Sequence, residues 1–255
     1  MKMVFDLDGT ICFSGKPLSS KMVHALDFLV NEGHEIIFAS ARPIRDLLPV
    51  IPTHMHSYSM VGGNGAFVAA LGNILSTVHF DTGLTDKLIR LIQEYEASYL
   101  IDSRWDYAYT GDEDHPIRRN VDPDRRAVQR PLEELNEIVK IVILHSNDQQ
   151  SLLSELQQLS IVIHMHGSEN IIDISPTGVD KWAGLQALGL RPQEFIAFGN
   201  DANDMSMFKH AQRSICVGNH PELTDLATEQ VLNEEERVVE KIINLCREHV
   251  AVEYM

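Results

Sequence analysis

Short apolar runs alternate with segments of helical period at both ends of this chain, and that alternation constrains its fold more than any other feature. Lys2-Met-Val-Phe-Asp6 is a strand-like run. Ser19 or Ser20 caps a helix whose apolar face is Met22, Leu26, Leu29 and Val30, Gly33 ends it, and Glu35-Ile-Ile-Phe-Ala-Ser40 is a second strand. A helix joining two apolar strands is a βαβ unit, which implies a parallel sheet.

The pattern continues with a helix opened by Arg42-Pro43, a third strand from His56 to Val61, and a β-hairpin of Ala66 to Ala70 and Ile74 to Val78 around Leu71-Gly-Asn73. It returns in the final third: helix Asp180 to Leu188, strand Phe195 to Gly199, helix Asn203 to His210, strand Ser214 to Gly218, and an amphipathic helix Glu235 to Glu248. Between them the texture changes. A helix carrying Leu84, Leu88, Leu91, Ile92 and Tyr95 leads into short strands and the polar stretch Thr110-Gly-Asp-Glu-Asp-His-Pro116. Strand Ile138 to His145, helix Gln149 to Leu159 and strands Ile161 to His166 and Ile171 to Ile174 then complete a small α+β domain.

Composition narrows the partners. With 37 Asp and Glu against 21 Lys and Arg, the net charge of −16 repels phosphate backbones and anionic lipid, and no basic cluster exceeds Arg118-Arg119 and Arg125-Arg126. No nucleic acid and no membrane partner is expected. No run approaches the roughly 18 apolar residues of a spanning helix, and Met1 to Phe5 is too short an apolar start for a signal peptide, so a cytoplasmic protein is expected. Cys12, Cys216 and Cys246 form no C-x-x-C pair and read as small core hydrophobes.

In an open α/β sheet, ligands bind beyond the carboxyl ends of the strands. The residues there are Asp6-Leu-Asp8-Gly-Thr10, Ser40-Ala41-Arg42, Gly62-Gly-Asn64-Gly65 and Gly199-Asn200-Asp201-Ala-Asn203-Asp204. Gathering Asp6, Asp8, Asp201 and Asp204 at one rim is repulsive without a cation, and oxygen-only ligands suit Mg²⁺, which keeps open positions for a substrate phosphate. Lys181 supplies a second positive charge, and Ser40 a hydroxyl donor for a phosphate oxygen.

Three of these segments and the one around Lys181, taken in chain order, resemble the motifs of the haloacid dehalogenase-like phosphatase superfamily: Asp6-Leu-Asp-Gly-Thr10, Ser40 heading Ser-Ala-Arg, Lys181 within Gly178-Val-Asp-Lys, and Gly199-Asn-Asp-Ala-Asn-Asp204. Asn64-Gly-Ala66 and Val217-Gly-Asn219 are most similar to its Cof-type sugar-phosphatase branch. The resemblance covers the outer thirds closely and the middle third only by position and size. It implies a Rossmann-like parallel-sheet core from residues 1–80 and 179–255, with an α+β cap at 81–178 that selects among small phosphorylated metabolites. It also implies Asp6 as nucleophile forming an aspartyl-phosphate, Asp8 as general acid and then base, and Ser40 and Lys181 as phosphate holders. Ala41, Arg42, Asn64 and Asn203 complete the expected substrate site, and Mg²⁺ would rest on Asp6, the Asp8 carbonyl and the last motif. A phosphotransferase or phosphomutase of the same superfamily, or a non-catalytic sugar-phosphate binder, fits the same residues. A monomer or small homo-oligomer is expected.

Two positions depart from the family pattern. Ser40 stands where Thr is usual and keeps the hydroxyl. Asn200 stands where Asp is usual; it offers a carbonyl oxygen without charge, which leaves open whether Asn200, Asp201 or Asp204 meets the metal. Other features read more plainly. Gly62 to Gly65 leads into a hairpin, so it lacks the helix of a dinucleotide fingerprint and reads as backbone lining the site. The pairs His54/His56 and His164/His166 have i, i+2 spacing and no third ligand nearby, and read as partly exposed strand histidines. Arg104-Trp-Asp-Tyr-Ala-Tyr109 is either a hairpin with one packed face or a cap surface that helps select substrate.

Overall fold

The computed structural model describes residues 1–166 and 171–253. The first part of the chain forms β1 (Lys2–Phe5), α1 (Ser20–Asn31), β2 (Glu35–Ala39), α2 (Ile44–Leu47), β3 (Ser59–Gly62), β4 (Phe67–Ala70) and β5 (Asn73–Thr77). The middle forms α3 (Thr82–Glu94), β6 (Ser98–Asp102), β7 (Tyr107–Tyr109), β8 (Lys140–His145), α4 (Gln149–Leu156), β9 (Ile161–His166) and β10 (Ile171–Pro176). The last part forms α5 (Lys181–Ala187), β11 (Phe195–Gly199), α6 (Met205–Phe208), β12 (Arg213–Val217), α7 (Pro221–Leu226), β13 (Glu229–Val231) and α8 (Glu235–Glu253). These elements sort into two compact units, Met1–Leu75 with Asp180–Met255, and Ser76–Val179.

The first unit is built on one sheet with the order β13-β12-β11-β1-β2-β3-β4-β5. From β13 to β3 every neighbouring pair is parallel, and β4 turns back antiparallel on β3. The central strands are buried on both faces, which is why β1 and β11 read as continuous apolar runs rather than as alternating ones. One face packs Val4, Ile37, Ala39, Val61 and Ala197 against Trp182, Leu185, Met207 and Phe208 of α5 and α6. Elsewhere α1 and α8 lie against each other and bury Met22, Leu26, Leu29, Val238, Ile242 and Leu245. The strand order reverses between β1 and β11, so the residues that follow these two strands meet at a topological switch point.

The second unit is a sheet of order β7-β6-β8-β10-β9 whose neighbours are all antiparallel. Leu88, Leu91 and Ile92 of α3 and Leu152 and Leu156 of α4 pack on Ile101, Ile141, Ile143, Ile172 and Ile174. Residues of opposite strand parity, Leu100, Tyr107, Tyr109, Val142 and Leu144, form a separate cluster with Val121, so the Tyr107 and Tyr109 rings are core and not surface.

Several local expectations change. The helix after Pro43 is one turn long and gives way to a 3₁₀ turn at Leu48–Val50, because Pro49 removes a backbone donor. The third strand begins only at Ser59; His54 lies in a 3₁₀ turn with Nε2 2.9 Å from Asp27 Oδ1, and His56 Nε2 lies 3.0 Å from the Leu48 carbonyl. Neither is a strand histidine. His164 does stand on β9, while the side chain of His166 lies outside the described residues. The expected helix at Asn203 starts as a 3₁₀ turn at Ala202–Asp204, and α7 and the edge strand β13 fill a stretch with no expected element. Among the described residues, no helix is long and apolar enough to cross a membrane.

Candidate active site

β1 delivers Asp6 to the sheet edge, where its backbone N–H donates to the Phe198 carbonyl of β11 at 3.0 Å. Beyond it the chain folds into a tight loop: Thr10, Ile11 and Cys12 N–H all point at the Leu7 carbonyl, and Gly9 N–H donates to Cys12 O. This curl returns the Thr10 hydroxyl to Asp6 Oδ2, to which it donates at 2.8 Å. Thr10 closes the Asp6-Leu-Asp-Gly-Thr motif but was not among the expected site residues; its place two residues after Asp8 was the available signal.

The other oxygen of Asp6 accepts from Lys181 Nζ at 2.6 Å, and the same ammonium donates to Asp204 Oδ1 at 2.6 Å. Lys181 is the first residue of α5, whose N-cap is Asp180, and its side chain is wholly buried. A cation at a helix N-terminus opposes the helix dipole, and two buried carboxylates offset that. Burial works to lower the ammonium's pKa, but Asp204 and Asp6 together raise it above its ordinary value, so Lys181 stays charged. Burial pushes the Asp6 carboxyl up to about 7, with Lys181 pulling against it and Asp204 adding to it.

The last motif is organised by a reciprocal capping box. Asp204 Oδ2 accepts from the backbone N–H groups of Asn200 at 2.8 Å and Asp201 at 3.1 Å, while the Asp201 side chain caps the turn from the other end. With its remaining oxygen on Lys181, Asp204 acts as a clamp. Asp201 is exposed; its Oδ1 accepts from Ala202 N–H at 2.7 Å and lies 3.5 Å from His220 Nε2. Among the described residues, neither carboxylate shares a hydrogen-bond partner with Asp6 Oδ2.

Asn200 does. With its amide nitrogen turned toward the nucleophile, Nδ2 lies 3.1 Å from Asp6 Oδ2, 3.0 Å from Thr10 Oγ1 and 3.1 Å from the Asp8 carbonyl. Turned the other way, Asn200 Oδ1 accepts from Thr10 Oγ1 at 3.0 Å and joins the Asp6 carboxylate and Asp8 carbonyl in a set of hard oxygens. That donor set fits Mg²⁺, although it carries only one carboxylate. Among the described residues there is no group of three His, Cys, Asp or Glu that could hold an ion by side chains alone.

Three further parts line the same edge. Ser40 is buried after β2; its Oγ accepts from Arg42 N–H at 3.1 Å, which leaves the hydroxyl proton for a ligand. Ala41 and Arg42 follow, half-buried. The Arg42 guanidinium faces the Asp8 carboxylate, Nε on Oδ2 and Nη2 on Oδ1, each at 2.7 Å. The Gly63–Gly65 turn is tied to this segment by Gly63 N–H to Arg42 O and Asn64 N–H to Ser40 O. Asn64 sits in the left-handed region at φ 56°. Its Oδ1 accepts from Asn203 Nδ2 at 3.0 Å, which leaves a buried donor, Asn64 Nδ2, and a buried acceptor, Asn203 Oδ1, without partners among the described residues. Cys12 is no rival nucleophile: burial and the nearby Asp8 push its thiol up to about 11.

Comparison with known proteins places this geometry in context. The family described as haloacid dehalogenase-like hydrolase matches residues 3–243. The 5-amino-6-(5-phospho-D-ribitylamino)uracil phosphatase YitU of Bacillus subtilis (strain 168) is 25% identical over 235 residues, covering 85% of this chain and 86% of that protein. A haloacid dehalogenase-like hydrolase from Bacteroides thetaiotaomicron superposes with a TM-score of 0.81 at 22% identity, covering 96% of this chain and 98% of its own. The HAD subclass IIB sugar phosphatase BT4131 superposes with a TM-score of 0.74 at 16% identity, covering 98% and 99%. The chain with the Asp6–Lys181–Asp204 clamp belongs to the haloacid dehalogenase-like hydrolases.

Proposed function

We propose that the chain is a Mg²⁺-dependent phosphomonoesterase that hydrolyses small-metabolite phosphates, sugar phosphates foremost, through an aspartyl-phosphate on Asp6. The observation that carries this reading is the pairing of a buried carboxylate locked by Lys181 and Thr10 with a second carboxylate, Asp8, that is 45% exposed at the mouth two residues later. The buried group attacks phosphorus, and the exposed one reaches the leaving oxygen, protonates it, and then takes a proton from the hydrolytic water.

Lys181, the Ser40 hydroxyl and the free donor of Asn64 hold phosphate oxygens, supplying the fixed donors on which phosphoryl transfer depends. Magnesium, held by Asp6, the Asp8 carbonyl and the Asn200 amide oxygen, would neutralise phosphate charge as it develops. We assign substrate choice to the unit inserted between β5 and α5. The relatives' activities on phosphorylated metabolites support the substrate class.

Phosphate release measured over a metabolite panel tests the reading. Turnover should require Mg²⁺, stop with EDTA, and vanish in Asp6→Asn; release that survives that substitution or ignores EDTA would sink it.

A further inference from the structure

The amide of Asn200 occupies the point where the nucleophile, the Asp8 carbonyl and the Thr10 hydroxyl converge, and its two orientations are not equivalent. With oxygen inward, Asn200 Oδ1, Asp6 Oδ2 and the Asp8 carbonyl are three acceptors beside the single proton of Thr10 Oγ1. Such a cluster is unfavourable unless a cation sits within it. With nitrogen inward, the two amide hydrogens serve Asp6 Oδ2 and the Asp8 carbonyl, and Thr10 keeps its bond to Asp6. Gly9 makes room for the exchange. At φ +79° it has no Cβ, and a Cβ there would overlap the Asn200 amide. An aspartate at this position would have no nitrogen to turn inward, and would add a charge beside Asp6.

The charges point the same way. Asp6 and Asp204 share Lys181, and Asp8 is matched by Arg42, so with all three carboxylates ionised the five groups leave one net negative charge. A neutral Asn200 adds nothing to it. A dication would therefore exceed the charge of its pocket until a phosphate dianion arrives, and Mg²⁺ commonly relies on substrate phosphate for part of its coordination.

We infer that in the chain without metal the Asn200 amide nitrogen stands in for the ion, and that magnesium enters together with a phosphate ligand as the amide turns its oxygen inward. This rests on the metal-dependent phosphatase reading above. By linkage, phosphate must tighten metal binding by the same factor as metal tightens phosphate.

Mn²⁺ binding, followed by its electron paramagnetic resonance with and without inorganic phosphate, tests this in the wild-type chain and in Asn200→Asp. Phosphate should tighten wild-type Mn²⁺ binding by about tenfold or more, and Asn200→Asp should gain about tenfold without phosphate. In EDTA, Asn200→Asp should melt below wild type. Equal affinities without phosphate, or an unchanged or higher melting temperature in EDTA, would overturn the inference alone. Failure of both chains to take up Mn²⁺ even with phosphate would overturn the metal-dependent reading and the inference with it. Should Asn200→Asp not fold, the wild-type side-chain amide signals decide: Asn200 Nδ2 hydrogens must be protected from exchange in EDTA and lose that protection with Mg²⁺ and phosphate. Unprotected hydrogens in EDTA would overturn the inference.

Discussion

The guanidinium of Arg42 closes on both oxygens of the Asp8 carboxylate, with two parallel hydrogen bonds of 2.7 Å. A fork of this kind fixes the plane of the carboxylate as well as its position, which a lysine cannot do. Arg42 thereby orients the proposed acid and base.

Arg42→Lys and Arg42→Ala should lower kcat by roughly tenfold and a hundredfold, at or below the lower edge of the roughly hundredfold to ten-thousandfold attributed to general acid and base catalysis, because Asp8 itself remains. The loss should be larger for an alkyl phosphate, whose leaving oxygen needs a proton, than for a nitrophenyl phosphate, whose leaving group does not. Equal losses on the two substrates would show that Arg42 acts elsewhere.

Removing Lys181 leaves two buried carboxylates facing each other. Lys181→Met should cost about 3 kcal/mol or more of unfolding free energy, as is usual when one partner of a buried pair is lost. Asp6→Asn should behave differently. Burial has raised the Asp6 pKa from 3.8 to about 7, so the folded state resists ionising it and loses stability as pH climbs through that interval. In EDTA at pH 8, Asp6→Asn should melt at or above wild type while being inactive. Urea titrations and thermal melts of the two variants check both statements.

Gly65 lies where the turn after β3 meets the start of α5. At φ +114° it occupies a conformation that L side chains rarely adopt, and a Cβ would overlap the Asp180 carbonyl oxygen. Gly65→Ala should therefore cost well over 2 kcal/mol, whereas Gly72→Ala, with φ +76° and open space around it, should cost only about 1 kcal/mol. Comparable denaturation midpoints for the two would contradict the close approach.

In the second unit, Lys140 Nζ and Asp173 Oδ2 pair at 2.7 Å with side chains 7% and 2% exposed. Lys140→Met alone should destabilise by about 3 kcal/mol, and Lys140→Met with Asp173→Leu should recover most of that, because desolvation of an ion pair offsets much of its attraction. A double variant no more stable than the single one would mean that the pair is tied into wider hydrogen bonding.

Much of this was legible from one dimension. Buried parallel strands read as apolar runs, helix ends carry their caps, and polar residues just past a strand belong to a sheet edge; each is a pattern within a dozen residues. Hence Asp6, Ser40, Asn64 and Asn200 stand out in the sequence as candidates. Short-range geometry also explains the misreadings. The i, i+2 spacing of His54 and His56 reads as strand, while Pro49 and Pro52 turn that segment into 3₁₀ turns.

The division of labour within the last motif was decided only by tertiary structure. Three candidates stood in Asn200-Asp201-Ala-Asn-Asp204, and one capping box separates them: Asp204 turns back to Lys181, Asp201 turns out to solvent, and Asn200 alone reaches the nucleophile. Arg42 meets Asp8 and Lys181 meets Asp6 across 34 and 175 residues of chain. Local propensity and periodicity act over a few residues. The directions of these side chains depend on how strands from both ends of the chain register in one sheet, and no local pattern encodes that.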